Sequence, residues 1–246
     1  MPVKLSVIII ARNEAANLPA CLESVRFADE IVLVDSESTD DTPAIARKLG
    51  AIVVTAPFRG YGPQKNLALD HARGDWVLSL DADERVPEML RNEIIAVIGR
   101  VDAADGYRVA RRNYVGDIWI RHGGWYPDYT VRLFRRDRGR FAERSVHEAV
   151  EVEGRVATLR EPLEHRACRD FEEFARRQER YAQLAAAEMA QHGRRATALD
   201  VWLRPAYTFI RSYLLRGGFL DGTNGWKLAC IYTRYTYSKY RRLRAL

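Results

Sequence analysis

At 246 residues the chain can bury a substantial core, and its 47% hydrophobic and 29% charged composition excludes an intrinsically disordered protein. Its three cysteines, Cys21, Cys168 and Cys230, are too few and too widely spaced for a disulfide framework or a cysteine metal site, a usage that suits a reducing cytoplasm. No stretch is apolar and long enough to span a bilayer, and the apolar run after Lys4 is too short for a secretory signal.

That run, Leu5–Ala11, is almost continuously β-branched, as expected of a strand covered on both faces. The polar turn Arg12-Asn13-Glu14 leads to a helix through Leu22 and Val25. Ile31–Val34 predicts a second strand ending at Asp35, followed by the polar loop Ser36–Asp40. Asp41 precedes a helix with Pro43 in its first turn and Gly50 at its end. Ala51–Thr55 predicts a third strand, Pro57–Pro63 a loop, and a helix passes through Asn66 and Asp70. Trp76–Leu80 is the fourth strand, and Asp81-Ala82-Asp83 closes it. Strands alternating with helices imply right-handed crossovers and a parallel, doubly wound α/β sheet. Ligands of such sheets bind at the carboxyl ends of the strands. Asp35, the Arg59–Lys65 loop and the pair Asp81/Asp83 all fall on that edge. Two carboxylates at i and i+2 beyond a strand end can converge on one divalent cation, and Mg2+ and Mn2+ favour such oxygens while leaving positions for phosphates. The convergence points to a nucleotide-sugar site.

After Pro87 the pattern changes. Met89–Ile98 reads as an amphipathic helix, and Gly106–Val115 and Thr130–Phe134 as strands. Between the strands lies His122-Gly123-Gly124-Trp125-Tyr126-Pro127, readable as a tight turn with a packed aromatic. His147-Glu148 sits in the apolar-flanked segment Val146–Val150, a strand edge or short helix. Glu151, not histidine, stands four residues after His147, so the zinc-protease motif is absent. Asp170–Met189 is a long helical candidate, with Asp170 and Glu173 spaced as a capping box. Leu199, Leu203, Ala206, Ile210 and Leu214 share one helical face. Gly217, Gly218, Gly222 and Gly225 then mark a break.

Several of these segments resemble a known family. Ser6-Val7-Ile8-Ile9-Ile10-Ala11-Arg12-Asn13-Glu14, Val34-Asp35-Ser36 with Ser38-Thr39-Asp40 and Thr42, Gln64-Lys65-Asn66, and Asp81-Ala82-Asp83-Glu84 resemble the inverting GT-A glycosyltransferases of family 2. Within them the likeness is greatest to bacterial lipopolysaccharide-core β-1,4-glucosyltransferases. Weaker likeness extends through Val131-Arg132-Leu133-Phe134, Val146-His147-Glu148 and His165. The resemblance implies a GT-A (Rossmann-like) catalytic domain over residues 1–168, with a mostly parallel sheet and helices on both faces. A helical extension would occupy residues 169–246.

It also implies roles by position. Arg12, Glu14, Asp35, Ser38, Lys65 and Asp81 would bind nucleotide and donor sugar, Glu14 and Asp35 recognising base and ribose. Asp83 would ligate a divalent metal, Mg2+ or Mn2+, with His165 as a further ligand. Trp125, Asp128, Arg132 and His147 would stand on the acceptor side. Inverting transfer needs a base for the acceptor hydroxyl, and a partly buried carboxylate serves well. Glu148 is the first candidate. Family members often carry Glu-Asp or Asp-Asp where this chain has His-Glu, so His147 and Asp128 stay open beside it. The implied donor is a nucleotide-diphosphate sugar, UDP-glucose. The implied acceptor is a lipid-linked saccharide, the inner-core heptose of lipopolysaccharide.

The last stretch accounts for the basic excess. Lys227, Arg234, Lys239, Arg241, Arg242 and Arg244 follow Asp221 with no further acid, and they interleave with Trp226, Tyr232, Tyr235, Tyr237 and Tyr240. Basic, aromatic-rich amphipathic segments favour anionic membrane interfaces, which predicts a peripheral protein on the inner face of the cytoplasmic membrane. A basic nucleic-acid-binding module is the alternative class, and a nucleotidyltransferase on the same fold a third. The acidic sheet edge argues against the former and the lack of a Gly-rich phosphate loop against the latter, so no nucleic acid is expected as partner.

Overall fold

The β-branched runs form the centre of a ten-stranded mixed sheet in this computed structural model, which describes residues 5–142 and 149–246. The first part alternates as expected: β1 (Leu5–Ala11), α1 (Leu18–Ser24), β2 (Glu30–Asp35), α2 (Thr42–Lys48), β3 (Ile52–Thr55), α3 (Tyr61–His71) and β4 (Trp76–Asp81). Then follow β5 (Glu84–Arg85), α4 (Glu88–Ile98), β6 (Gly106–Val115), β7 (Ile118–Trp119), β8 (Asp128–Arg135), β9 (Gly139–Phe141), β10 (Val150–Val152), β11 (Val156–Thr158) and β12 (Leu163–Cys168). The helices α5 (Phe171–Gln191), α6 (Ala198–Phe209) and α7 (Gly222–Ala245) complete the chain.

Strand order is β3-β2-β1-β4-β8-β6-β12-β5. The first four are parallel, with Ile8 of β1 opposite Val32 of β2 and Ser79 of β4. β8 then runs antiparallel to β4, and β6 antiparallel to β8. Alternation along β1 explains the double burial. Val7 and Ile9 join Leu22, Leu78, Leu90 and Ile94 in one core, while Ile8 joins Val32, Leu69, Val77 and Phe134 in another. Successive strand side chains point to opposite faces, so a strand apolar at every position must be covered twice.

The chain forms two compact units, the first running to Arg111 and adding Asp128–His165. The second combines Arg112–Pro127 with Arg166–Leu246. The loop between β6 and β8 thus belongs with the helices. Within this second unit Trp125 is buried, its ring edge-on to Phe174 at 5.4 Å, and its carbonyl accepts the Asn113 amide at 2.7 Å. Phe174 in turn packs edge-on against Tyr232 of α7 at 5.7 Å.

Local capping shapes the helical unit. The Asp170 carboxylate accepts the Glu173 N–H at 2.7 Å, as its spacing predicted, but Glu173 reaches back to the N–H of Arg169 at 3.1 Å. A complete capping box opens α6 instead, where Thr197 and Asp200 exchange bonds of 2.9 and 3.2 Å. Pro205 lies inside α6, and Ile210–Leu215 continues as a π-helix, closed by the Arg216 N–H on the Arg211 carbonyl at 2.9 Å. A short 3-10 turn, Gly218–Asp221, then leads into α7.

The glycine break is a place of close approach rather than a loose hinge. A Cβ on Gly225, inside α7, would lie 1.8 Å from the Gly218 carbonyl oxygen. Gly to Ala in a helix interior normally stabilises by roughly 1 kcal/mol. Here the clash reverses the sign, and overpacking of this kind costs about 1–3 kcal/mol. Gly225→Ala should therefore lower the melting temperature by several degrees in thermal denaturation followed by circular dichroism. A higher melting temperature would contradict this packing.

Candidate active site

The carboxyl ends of the parallel strands bring the predicted residues of the first unit together. β1 ends in a turn where Asn13 takes a positive φ of 58°. Its carboxamide oxygen accepts the Thr39 N–H at 2.8 Å, and its own N–H donates to the Ser38 hydroxyl at 2.9 Å. The Glu14 N–H donates to the Thr42 hydroxyl at 2.8 Å, and the Ala15 N–H to Asp40 at 3.2 Å. The loops after β1 and β2 are thereby knitted into one wall, with Arg12 exposed at its rim. Burial raises the pKa of the Glu14 carboxyl; the Asn17 amide opposes this, and the charges of Asp83, Asp40 and Asp81 add to it.

Asp35 closes β2 and is 2% exposed. One carboxylate oxygen accepts the Ser38 N–H at 3.2 Å; the other is buried and has no hydrogen-bond partner within the protein. A buried acceptor left unmatched is costly, so this oxygen is open to a donor from water or from a ligand.

α3 shows no apolar stripe because its buried face carries polar work. Gln64 donates to the Ser36 hydroxyl at 2.8 Å, and Asn66 exchanges two bonds with the backbone of Phe141, at 3.0 and 2.9 Å. Between them Lys65, 3% exposed, extends its ammonium to Asp81 at 2.9 Å.

Asp81, partly exposed, joins a charge network whose other members Lys65, Arg132 and Glu84 are buried. Arg132 from β8 donates to it at 2.6 Å and also to Glu84, which is fully buried. Glu84 also accepts the Asp81 N–H at 3.0 Å and lies 3.6 Å from Arg111 of β6. Arg111 binds Asp128 at 3.0 Å through its Nε. Burial opposes ionisation of Asp81, but Arg132 and Lys65 outweigh it and hold its carboxyl far below the usual carboxylate range. For Glu84 burial prevails, and with the Asp81 charge it pushes the carboxyl up against the pull of Arg132. Arg132 loses stabilisation to burial but gains more from Asp81 and Glu84, so it stays firmly cationic.

Asp83 meets a different partner. Its Oδ2 lies 3.3 Å from Nε2 of His165, which β12 brings opposite Glu84 by pairing with β5. The two residues predicted to ligate a metal are therefore adjacent, although 82 positions separate them in sequence. Neighbouring ligands of one octahedral ion with bonds of about 2.1 Å stand about 3 Å apart, so carboxylate and imidazole fit such an ion. No group of three or more His, Cys, Asp or Glu gathers for a metal among the described residues. Glu148 and His147 lie outside the described residues. The sequence reading gave no role to Glu84 or Arg111. Charged residues set into apolar strands, as in Val109-Ala110-Arg111 and Val131-Arg132-Leu133, were the available signal.

The family description of glycosyl transferase family 2 matches residues 6–165. The lipopolysaccharide core biosynthesis glycosyltransferase LpsC of Rhizobium meliloti is 32% identical over 256 aligned positions, covering 98% of this chain and 93% of that protein. The crystal structure of Staphylococcus aureus TarS 1-349 superposes with a TM-score of 0.50 at 17% identity, over 98% of this chain and 90% of that one. Mycobacterium tuberculosis glucosyl-3-phosphoglycerate synthase, crystallised with Mn2+, UDP and glucosyl-3-phosphoglycerate, is 27% identical over 45% of this chain and 44% of that one, with a TM-score of 0.40. The α/β sheet with helices on both faces is thus of GT-A type, as its motifs led us to expect. Matched over most of its length by the family description and over nearly all of it by LpsC, the chain belongs to glycosyl transferase family 2 and is a glycosyltransferase.

Proposed function

We propose that the protein transfers glucose from UDP-glucose, with inversion, to a lipid-linked saccharide of the lipopolysaccharide inner core, at an anionic membrane surface on the cytoplasmic side. The observation that carries the donor half is the line of Asp35, Lys65–Asp81 and Asp83–His165 along one sheet edge. Similarity to LpsC over nearly the whole chain supports the acceptor class.

Each residue has a separable task. The unmatched Asp35 oxygen accepts from the nucleobase or ribose, with Glu14, Ser38 and Arg12 along the same wall. Lys65 and Arg132 fix the Asp81 carboxylate so that it meets a donor-sugar or ribose hydroxyl in one orientation. Asp83 and His165 would hold Mg2+ or Mn2+, which would supply neutralisation of charge on a departing diphosphate. Glu148 removes the proton of the acceptor hydroxyl as it attacks the anomeric carbon, forming the new glycosidic bond while the bond to diphosphate breaks. Asp128 is the weaker base candidate because its carboxylate is already engaged by Arg111. Glu148→Gln should lower turnover by roughly 10²–10⁴-fold with donor binding retained. Full activity in that variant, with loss in Asp128→Asn, would move the base to Asp128.

The transfer itself is tested with a panel of nucleotide sugars and a lipopolysaccharide-core acceptor in Mn2+, the product linkage being read by NMR. A β-glucoside formed from UDP-glucose is expected. An α-linked product would refute inversion, and transfer from another nucleotide sugar alone would refute the donor.

A further inference from the structure

The membrane partner was expected of the basic, aromatic tail, but α7 is largely a packing element. Leu228, Ala229, Thr236 and Leu243 are buried, Tyr232 meets Phe174, and Glu179 of α5 engages Ser238 at 2.6 Å and Arg242 at 3.1 Å. Exposed apolar surface lies before it and in its first turns: on α6, where Leu199, Trp202, Leu203 and Tyr207 are between 59% and 68% exposed, and in the turn that follows. Leu214, Leu215, Phe219, Leu220 and Trp226 are between 49% and 70% exposed, although each is large and apolar. They occupy the turn in which the π-helix folds back into α7. Gly218 and Gly225 tighten that turn, since a Cβ on Gly218 would stand 2.6 Å from the Ser212 carbonyl oxygen. Underneath, Tyr213 stacks edge-on against Trp226 at 5.3 Å and Phe219 at 6.3 Å, which gives the tip a firm aromatic base.

Charge identifies the occupant. Residues 201–246 hold nine Lys and Arg against a single acid, Asp221, so this segment exceeds the net +6 of the whole chain. Asp221 does not offset the cations at the surface. Its carboxylate is 9% exposed and accepts the His122 N–H at 2.8 Å, with the His122 ring at 2.9 Å. Arg211, Arg216 and Lys227 are exposed and lie in sequence around the apolar turn. Apolar side chains at a tip with unbalanced cations beside them match an anionic bilayer, where the former enter the acyl boundary and the latter meet headgroup phosphates.

We propose that the turn from Leu214 to Trp226 is the element that inserts into the anionic membrane, anchored by Leu214, Leu215, Phe219, Leu220 and Trp226. This rests on the membrane partner proposed above and names the part of the chain that meets it. It differs from an anchor made by the body of α7 beyond Trp226, where Tyr232 serves the helical core.

The test is flotation of the full chain with vesicles of phosphatidylglycerol and phosphatidylethanolamine, against phosphatidylcholine alone. The intact protein should bind the anionic vesicles in a salt-sensitive manner. Leu215→Ser combined with Leu220→Ser should weaken binding on the order of 10²-fold, about tenfold for each exposed leucine. Its melting temperature should hold, because both side chains are exposed. In a Cys230→Ser background, an environment-sensitive fluorophore on the thiol of Leu220→Cys should shift to the blue with anionic vesicles, and one on Ile95→Cys should not. If the intact protein ignores anionic vesicles, the membrane reading and the tip both fail. If it binds but the double variant binds equally and the label at 220 stays in water, the membrane reading survives and the tip is overturned. A concentration-dependent dimer abolished by the double variant, with vesicle binding unchanged, would make the tip an interface between copies and likewise overturn it.

Discussion

Asp83→Asn is expected to lower sugar transfer by roughly 10²–10³-fold while leaving the fold intact, the size of loss seen when one group that stabilises transition-state charge is removed. The amide keeps the shape of the side chain but ligates a divalent cation poorly, so the departing diphosphate loses its compensation. Asp83 is only partly buried and lies outside the Arg132 network, which is why folding should survive. His165→Ala should act in the same direction. Turnover close to wild type in saturating Mn2+, measured by release of the nucleoside diphosphate, would remove Asp83 from this role.

Arg132→Met should instead act on stability. Arg132 is 4% exposed and is the shared partner of two carboxylates, the fully buried Glu84 and the partly buried Asp81. Removing one member of a buried ion pair typically costs about 3–5 kcal/mol, because the charge left behind is uncompensated. At about 2–4 °C per kcal/mol for a chain of this size, the melting temperature should fall by roughly 10 °C. Arg132→Lys should recover part of that, since a point charge replaces the cation but not the planar fork. Glu84→Gln in the Arg132→Met background should also recover part, by deleting one of the stranded charges. Unchanged melting of Arg132→Met would contradict the network.

The two substitutions separate what could be read from the sequence from what could not. β1, β2 and β4 were legible because each is apolar at nearly every position, a pattern that only a doubly covered strand explains. The positions of Asp35 and Asp81 followed at once, as strand ends are where such a sheet presents its ligands. β5, β9, β10 and β11 were not legible: strands of two or three residues show no periodicity, and β5 and β11 are held by partners far away in sequence. That gap matters, because β5 pairing with β12 is what brings His165 to Asp83. His165 was selected from family likeness alone, and no local pattern would have placed it there. α3 is a further case. Its buried Gln64, Lys65 and Asn66 break the amphipathic pattern, so the helix started at Tyr61 rather than after Pro63. Proline is tolerated there because first-turn N–H groups lack intrahelical partners. In the helical unit, composition identified the basic excess, but exposure decided which residues are free to meet a surface.

The most direct measurement is thermal unfolding of the protein with UDP, in the presence and absence of Mn2+, for the wild type, Asp35→Asn and Asp83→Asn. A ligand at a hundred times its dissociation constant stabilises by about 2.7 kcal/mol, which is readily seen as a rise in melting temperature. In the wild type, UDP should protect, and Mn2+ should deepen that protection. Asp83→Asn should lose the Mn2+ increment, and Asp35→Asn should lose protection by UDP under both conditions. Absence of protection by UDP or any other nucleoside diphosphate, with or without metal, would contradict the assignment of this sheet edge as a metal-assisted sugar-nucleotide site.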